Sequence, residues 1–344
     1  MPPAEAAAAR PRVSLALQGG GAHGAFTWGV LDRLLEDGRI EIEGVCGTSA
    51  GAMNGVALAY GLARGGPAEA RATLDRFWQL VAHRARYSPF QPTLLDRALS
   101  IGNMDFSPGW QFYDSLSRMV SPYLANPANY NPLAEVLDEL IDFAWLRDHY
   151  TLQLFVCATN VKSGKIHVFS GEEISCKAVM ASACLPFLYQ AVEIDGQHYW
   201  DGGFMGNPPL FPLIYHTECE DIIIVQVNPI EIDEVPTTAT AIIDRMNELS
   251  FNSSLMREMR AIAFVQKLVA QDRVDRGRYK AVKIHAIEAE AEMRRLGYSS
   301  KLNATESFLR WLFELGRERA SRFLEDHLDK IGRESSADIA GKFL

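Results

Sequence analysis

The chain has 344 residues, 48% of them hydrophobic and 22% charged, with a formal net charge of −9. That size and balance describe an ordinary folded protein with a substantial core, and the negative charge excludes a global field that draws it to nucleic acid or anionic membranes. No apolar run approaches the ~20 residues of a membrane-crossing helix. Five scattered cysteines without C-x-x-C spacing read as reduced core residues, neither a disulfide frame nor a metal site.

Residues 1–12 are rich in Ala and Pro and have no apolar signal-peptide core, so a disordered tail and a cytoplasmic location are expected. Val13 to Leu17 is a buried-type strand that runs into Gly19-Gly20-Gly21-Ala22-His23-Gly24. A helix follows, with Phe26, Val30, Leu31, Leu34 and Leu35 on one face and Gly38 as its stop. Three glycines between a strand and a helix expose backbone N–H groups and form an anion cradle. Gly19, Gly21 and Gly24 also fit the dinucleotide pattern G-x-G-x-x-G. That motif, however, needs an acid at the end of the second strand, and Glu41 and Glu43 both precede that point. A nucleotide-binding or non-catalytic regulatory protein is therefore the weaker alternative.

The second strand ends in Gly47-Thr48-Ser49-Ala50-Gly51, and a small-residue helix begins at once. In such a strand–turn–helix the serine sits at strained backbone angles with its hydroxyl raised above the sheet, where the start of the helix can stabilise an oxyanion. Gly47 and Gly51 are required because a Cβ at either would collide with the neighbouring strand or helix. Helices are predicted at 50–62 and 67–82, broken by Gly65-Gly66. The aromatic and Pro-rich stretch 87–130 reads as a lid, a pocket wall or a packed excursion. Asn131 caps a helix from Pro132, strands are predicted at 152–158 and 165–169, and a helix at 174–183. A hairpin on Asp195-Gly196 then delivers Asp201-Gly202-Gly203. A strand at 222–227, a helix at 241–270, a strand at 281–284 and a helix at 305–328 complete the pattern.

A serine nucleophile needs a base. In α/β-hydrolase order the candidates are His216, His285 and His327, but none lies in a loop of catalytic character, and the serine turn comes too early in the chain for that fold. Asp201 is the better partner, because Gly202 and Gly203 allow its carboxylate to approach the serine; to serve as a base it has to be desolvated.

The three motifs in this order, with Ala181-Ser182-Ala183-Cys184-Leu185-Pro186 and Asn207-Pro208-Pro209 around them, resemble the patatin-like phospholipase family over roughly residues 13–228. The resemblance implies a three-layer α/β/α fold with a mainly parallel sheet. It also implies a lipid acyl-ester hydrolase with a Ser49–Asp201 dyad, an oxyanion hole of Gly19, Gly20 and Gly21, and no metal or cofactor. The family often has Arg or Lys where this chain has His23, so His23 is the candidate head-group contact. Residues 229–344 are expected to form a mainly helical region packed on the catalytic domain. Within it, Leu255, Met259, Ile262 and Val269 share one face of a helix beside Arg257, Arg260, Lys267, Arg273, Arg276 and Arg278. That pattern fits packing on the domain or a peripheral membrane contact.

Overall fold

A computed structural model describes residues 10–117, 119–275 and 279–344. Most of the expected N-terminal tail, as well as Arg276 and Arg278, lies outside the described residues, and Arg12 already opens the first strand. In chain order, β1 (Arg12–Leu17) leads through the glycine loop to α1 (Gly24–Asp37), and β2 (Glu41–Thr48) leads through Ser49 to α2 (Ala50–Ala85). Short helices α3 (Leu94–Leu99), α4 (Pro108–Ser117), α5 (Pro122–Ala125), α6 (Pro132–Leu140) and α7 (Phe143–His149) follow. Next come β3 (Gln153–Asn160), β4 (Ile166–Phe169), α8 (Cys176–Ser182) and the hairpin of β5 (Val192–Ile194) and β6 (Gln197–Asp201). The remainder is α9 (Phe211–His216), β7 (Asp221–Gln226), α10 (Ala239–Ala270), β8 (Lys283–Glu288), α11 (Glu290–Met293), α12 (Glu306–Asp326) and α13 (Ile339–Phe343).

One sheet runs in the order β5-β6-β3-β2-β1-β7-β8, with β4 also paired to β3. β3, β2, β1, β7 and β8 are parallel, and β4 and β6 pair antiparallel with β3. Alternation along each strand sends side chains to two cores. Leu15, Leu17, Val45, Ile223 and Val225 join α1, α2 and α12 on one face. Ala16, Cys46, Ile222 and Ile224 join α9, α10 and α13 on the other. The result is a helix–sheet–helix sandwich. Burying Phe26, Leu31 or Leu34 of α1 contributes about 1.5–3 kcal/mol each, before entropy is subtracted.

Local signals explain the element ends. Gly38 closes α1 in the left-handed conformation, φ 69°. Gly65 and Gly66 interrupt α2 with non-helical angles, and Gly66 has φ 73°. The Asn131 side chain accepts from the Leu133 amide to cap α6. Asp195 and Gly196 both take positive φ in the two-residue turn between β5 and β6.

Residues 229–344 do more than pack on the sheet, because β8 extends it beside β7. In addition, α12 crosses α1 so closely that a Cβ on Gly29 would strike the Phe313 carbonyl, and one on Gly316 the Phe26 carbonyl. The apolar face of α10 is spent on this packing. Leu255, Met259, Ile262 and Val269 are all 6% exposed or less.

Candidate active site

The site lies at the carboxyl ends of the parallel strands. Ser49 follows β2 directly and has φ 55° and ψ −123°, angles that a non-glycine residue holds only when its surroundings enforce them. Its amide donates to Ser182 Oγ at 2.9 Å, and the Ser182 hydroxyl donates to the Cys157 carbonyl at 2.6 Å. The preceding Thr48 hydroxyl donates to the Gly206 carbonyl at 2.8 Å. A Cβ on Gly47 would stand 2.5 Å from the Gly51 carbonyl oxygen, and one on Gly51 would run into the Leu17 carbonyl. The turn is thus tight against both α2 and β1. Ser49 itself remains partly exposed, between buried Thr48 and Ala50.

Asp201 is the last residue of β6, opposite Ala158 of β3. Its amide donates to the Cys184 carbonyl, and the Thr159 hydroxyl donates to its carbonyl, both at 2.8 Å. Gly202 passes so close to β3 that a Cβ would strike the Cys157 carbonyl, so the chain can turn there only at a glycine. The Gly203 amide donates to Asp201 Oδ1 at 2.8 Å. Burial pushes the Asp201 pKa up to about 6; the Gly203 amide, the Ser49 hydroxyl and the more distant charge of Lys301 act against that rise. The Ser49 hydroxyl therefore faces a carboxylate that titrates much closer to neutrality than an exposed one.

The glycine loop touches this pair. A Cβ on Gly19 would lie 2.7 Å from the Ser49 Cβ, and one on Gly24 would lie 2.7 Å from the Ala50 Cβ, so both glycines serve close packing of loop against turn. The sequence reading takes Gly19, Gly20 and Gly21 as equivalent amide donors, and the geometry corrects this for Gly19. Its N–H donates to Asn207 Oδ1 at 2.7 Å and is not free. Asn228 Nδ2 donates to the Gly19 carbonyl at 2.7 Å, and Gln18 Oε1 accepts from the amides of Val227 and Asn228. The Gly20 and Gly21 amides have no acceptor among the described residues. Gly21 adopts φ 58°.

His23 is a second correction. Its side chain turns inward, 2% exposed, with Nε2 2.7 Å from Ser300 Oγ and its ring edge-on to Phe308. Burial, followed by the charge of Lys301, holds its pKa at about 3, so the ring is neutral and away from the surface where a head group would arrive. The cation at the site is Lys301 instead, from the turn before α12. Ser49, Asp201, Gly20, Gly21, Asn207 and Lys301 line one cavity of about 50 Å³, together with the apolar Leu185, Phe251 and Leu302 and the ring of Tyr298. A larger groove of about 600 Å³ lies elsewhere, among Trp28, Arg76, His83 and Arg310.

The candidate histidines all sit toward the other end of the sheet. His216 ends α9, just before β7 begins, and His327 ends α12. His285 is fully buried near the start of β8, where its Nε2 donates to Asp221 Oδ1 at 3.0 Å. None of them reaches Ser49.

The sequence model of the patatin-like phospholipase family matches residues 15–214, more than half of the chain. The chain belongs to the patatin-like phospholipase family. Among solved structures, this patatin-like protein is similar to VipD from Legionella pneumophila, at 16% identity and a TM-score of 0.41 over 93% of this chain and 67% of that one. It is also similar to ExoU in its complex with SpcU from the type III secretion system of Pseudomonas aeruginosa, at 18% identity and a TM-score of 0.40, over 93% of this chain and 52% of that one. Comparison with curated proteins gives no match. As a family member the chain has a lipid acyl hydrolase fold with Ser49, Asp201 and the glycine loop on one cavity.

Sequence reasoning missed Gln18, Asn228, Tyr298 and Lys301. Asn207 carried a faint signal in its Asn-Pro-Pro run. Asn228, Tyr298 and Lys301 carried none, because each lies some two hundred residues or more along the chain from the loop. Gln18, although next to Gly19, has partners in Val227 and Asn228 that are equally distant.

Proposed function

We propose that this patatin-like protein is a serine acyl-ester hydrolase of lipid substrates working through a Ser49–Asp201 dyad. Asp201 takes the Ser49 proton as Oγ attacks the ester carbonyl. The resulting oxyanion turns toward the Gly20 and Gly21 amides and the positive start of α2. When the tetrahedral intermediate collapses, Asp201 returns the proton to the leaving alcohol and the acyl group stays on Ser49. Water, deprotonated by Asp201, then attacks the acyl-serine, the carboxylic acid leaves, and Ser49 regains its proton. No step requires a histidine.

The observation that carries this reading is the pairing of a strained, partly exposed serine with a buried carboxylate and two unbonded amides on one cavity. A cavity of about 50 Å³ holds the reacting ester but not an acyl chain, so Leu185, Phe251, Tyr298 and Leu302 have to part for the chain. The protein works as a cytoplasmic enzyme at lipid surfaces. Support for the surface contact comes from Leu94, Leu99, Phe112, Met119 and Leu124, which stand 66–85% exposed in the segment whose Trp110 packs on Tyr298.

A fluorophosphonate probe labels only an activated serine, so it should modify wild-type protein at Ser49. Ser49→Ala should lose labelling together with at least about 10⁴ of the hydrolysis rate on a short-chain chromogenic ester, while circular dichroism stays unchanged. Labelling elsewhere, or a Ser49→Ala protein that still turns over, would end the assignment.

A further inference from the structure

We infer that Ser182 is a positioning residue for Ser49: its hydroxyl holds the nucleophile's own peptide bond in the strained turn, and the reaction slows when that hydroxyl is lost. The inference rests on the hydrolase reading above and adds a residue that acts through Ser49 alone.

The φ and ψ of Ser49 are set by the peptide planes on its two sides. The plane that follows is held as at any helix start, because the Met53 amide donates to the Ser49 carbonyl at 3.1 Å. The plane that precedes contains the Ser49 N–H, and that group donates to Ser182 Oγ at 2.9 Å. Ser182 is wholly buried at the end of α8 and does not line the cavity. A hydroxyl has one hydrogen to give, and this one goes to the Cys157 carbonyl at 2.6 Å, which leaves the lone pairs for Ser49. Cys157 stands opposite Thr48 in the β2–β3 register. One buried hydroxyl thus ties the amide of the turn to the strand beside it, with its direction fixed at both ends.

The same short segment also grips the other member of the pair. Two residues on, the Cys184 carbonyl accepts the Asp201 amide at 2.8 Å. The helix that carries Ser182 is itself anchored: Ser175 caps its start through the Ala178 amide, and the Ala183 amide donates to the Val179 carbonyl at 3.2 Å to close its end. Residues 182–184 therefore set where Ser49 and Asp201 stand relative to each other. Strain at φ 55° persists only while the surroundings over-determine it. Without the Ser182 hydroxyl, the Ser49 N–H and the Cys157 carbonyl both lose a partner in buried surroundings, and the preceding peptide plane turns to find another. Ser49 Oγ then leaves its line to Asp201, and a misplacement of about 1 Å in such a pair costs about 10²-fold in rate.

The test measures kcat and KM on a short-chain chromogenic ester, the rate of fluorophosphonate labelling and the pH profile for wild type, Ser182→Ala and Ser182→Cys. In Ser182→Ala, kcat should fall about 10–100-fold with KM within about three-fold, and labelling should slow by the same factor. The drop in kcat/KM at acid pH, set by Asp201, should keep its midpoint near 6. Ser182→Cys keeps a weaker donor and acceptor at the same place, so its kcat should fall about 3–10-fold. A residue that only supports the core would lower Tm and leave kcat and labelling within about two-fold in the folded protein. That result overturns the inference. So does a loss carried by KM or a shifted acid midpoint, since the hydroxyl would then act on substrate or on Asp201. If Ser182→Ala does not fold, Ser182→Cys decides by the same criteria. If wild type is neither labelled nor active, the hydrolase reading fails on its own. Hydrogen exchange then decides Ser182: exchange of the Ser49 amide at least tenfold faster in whichever variant folds supports the inference, and exchange unchanged from wild type overturns it.

Discussion

The two ends of the parallel sheet hold similar chemistry and differ in what they can do with it. At the strand starts, His285 Nε2 donates to Asp221 Oδ1, the Gly332 amide donates to the same oxygen at 2.8 Å, and Ser336 Oγ lies 2.9 Å from His285 Nδ1. Those are the three residue types of a familiar serine triad. At the strand ends there is only a serine and an aspartate. Yet His285 is wholly buried, with Phe323 edge-on to it, so no substrate reaches the histidine. The Ser49 end has a strained turn, amides without acceptors and a cavity. On the proposed reading, residue types do not mark the reactive end. Backbone geometry does, because donors must already point at the charge that develops.

The comparison breaks most sharply at the two aspartates. Asp201→Asn keeps the shape but removes the basic lone pair, and should lower kcat by about 10²–10⁴ on a chromogenic ester. Asp221→Asn should leave kcat within a few-fold while lowering stability by about 1–3 kcal/mol in urea unfolding, since it weakens a buried bond to His285. Equal kinetic losses would erase the distinction between the ends.

A pH series sharpens it. In the proposed dyad only ionised Asp201 accepts the Ser49 proton, and its pKa is raised to about 6. Thus kcat/KM should level off above pH 7 and fall about tenfold per unit below 6, and Asp201→Asn should lack that limb. Stability runs the opposite way. The native state holds this proton more tightly than the unfolded chain does, so the contribution is full below about pH 4 and is lost as pH rises through 6. The loss is on the order of 2–3 kcal/mol. Asp201→Asn should accordingly be more stable than wild type at pH 7, by chemical denaturation, with the advantage gone at pH 4.

The smallest effect belongs to the buried histidine. His285→Asn and Ser336→Ala should both keep hydrolysis within about three-fold of wild type, and His285→Asn should lower Tm by several degrees. A histidine variant that stays folded and loses activity as completely as Ser49→Ala would overturn the dyad.

Much of this was legible in the sequence where one short stretch carries its own reason. The glycines at 47 and 51 mark a collision that any Cβ would cause, Gly66 marks a positive φ, and Asn131-Pro132 marks a helix start. The apolar face of α10 was equally plain, and so was its alternative to membrane binding. What stayed hidden depends on pairs far apart in the chain. Gln18 meets Asn228 across 210 residues, and Gly19 meets Asn207 across 188, so nothing near Gly19 shows that its amide is already taken. His23 was misread for the same reason, since Ser300 and Phe308 bury it from the far end of the chain.

β1 lies between β2 and β7, so its outer edge has no partner until a strand about two hundred residues later joins it. Growing at roughly 5–20 residues per second, a nascent chain would present Ser49 roughly 10–50 s before Lys301 leaves the ribosome. During that interval the loop at Gly19 has neither Asn228 to hold its carbonyl nor α12 to cover α1. On the proposed reading, the order of synthesis is thus itself a safeguard: the serine is made early and the site is assembled last.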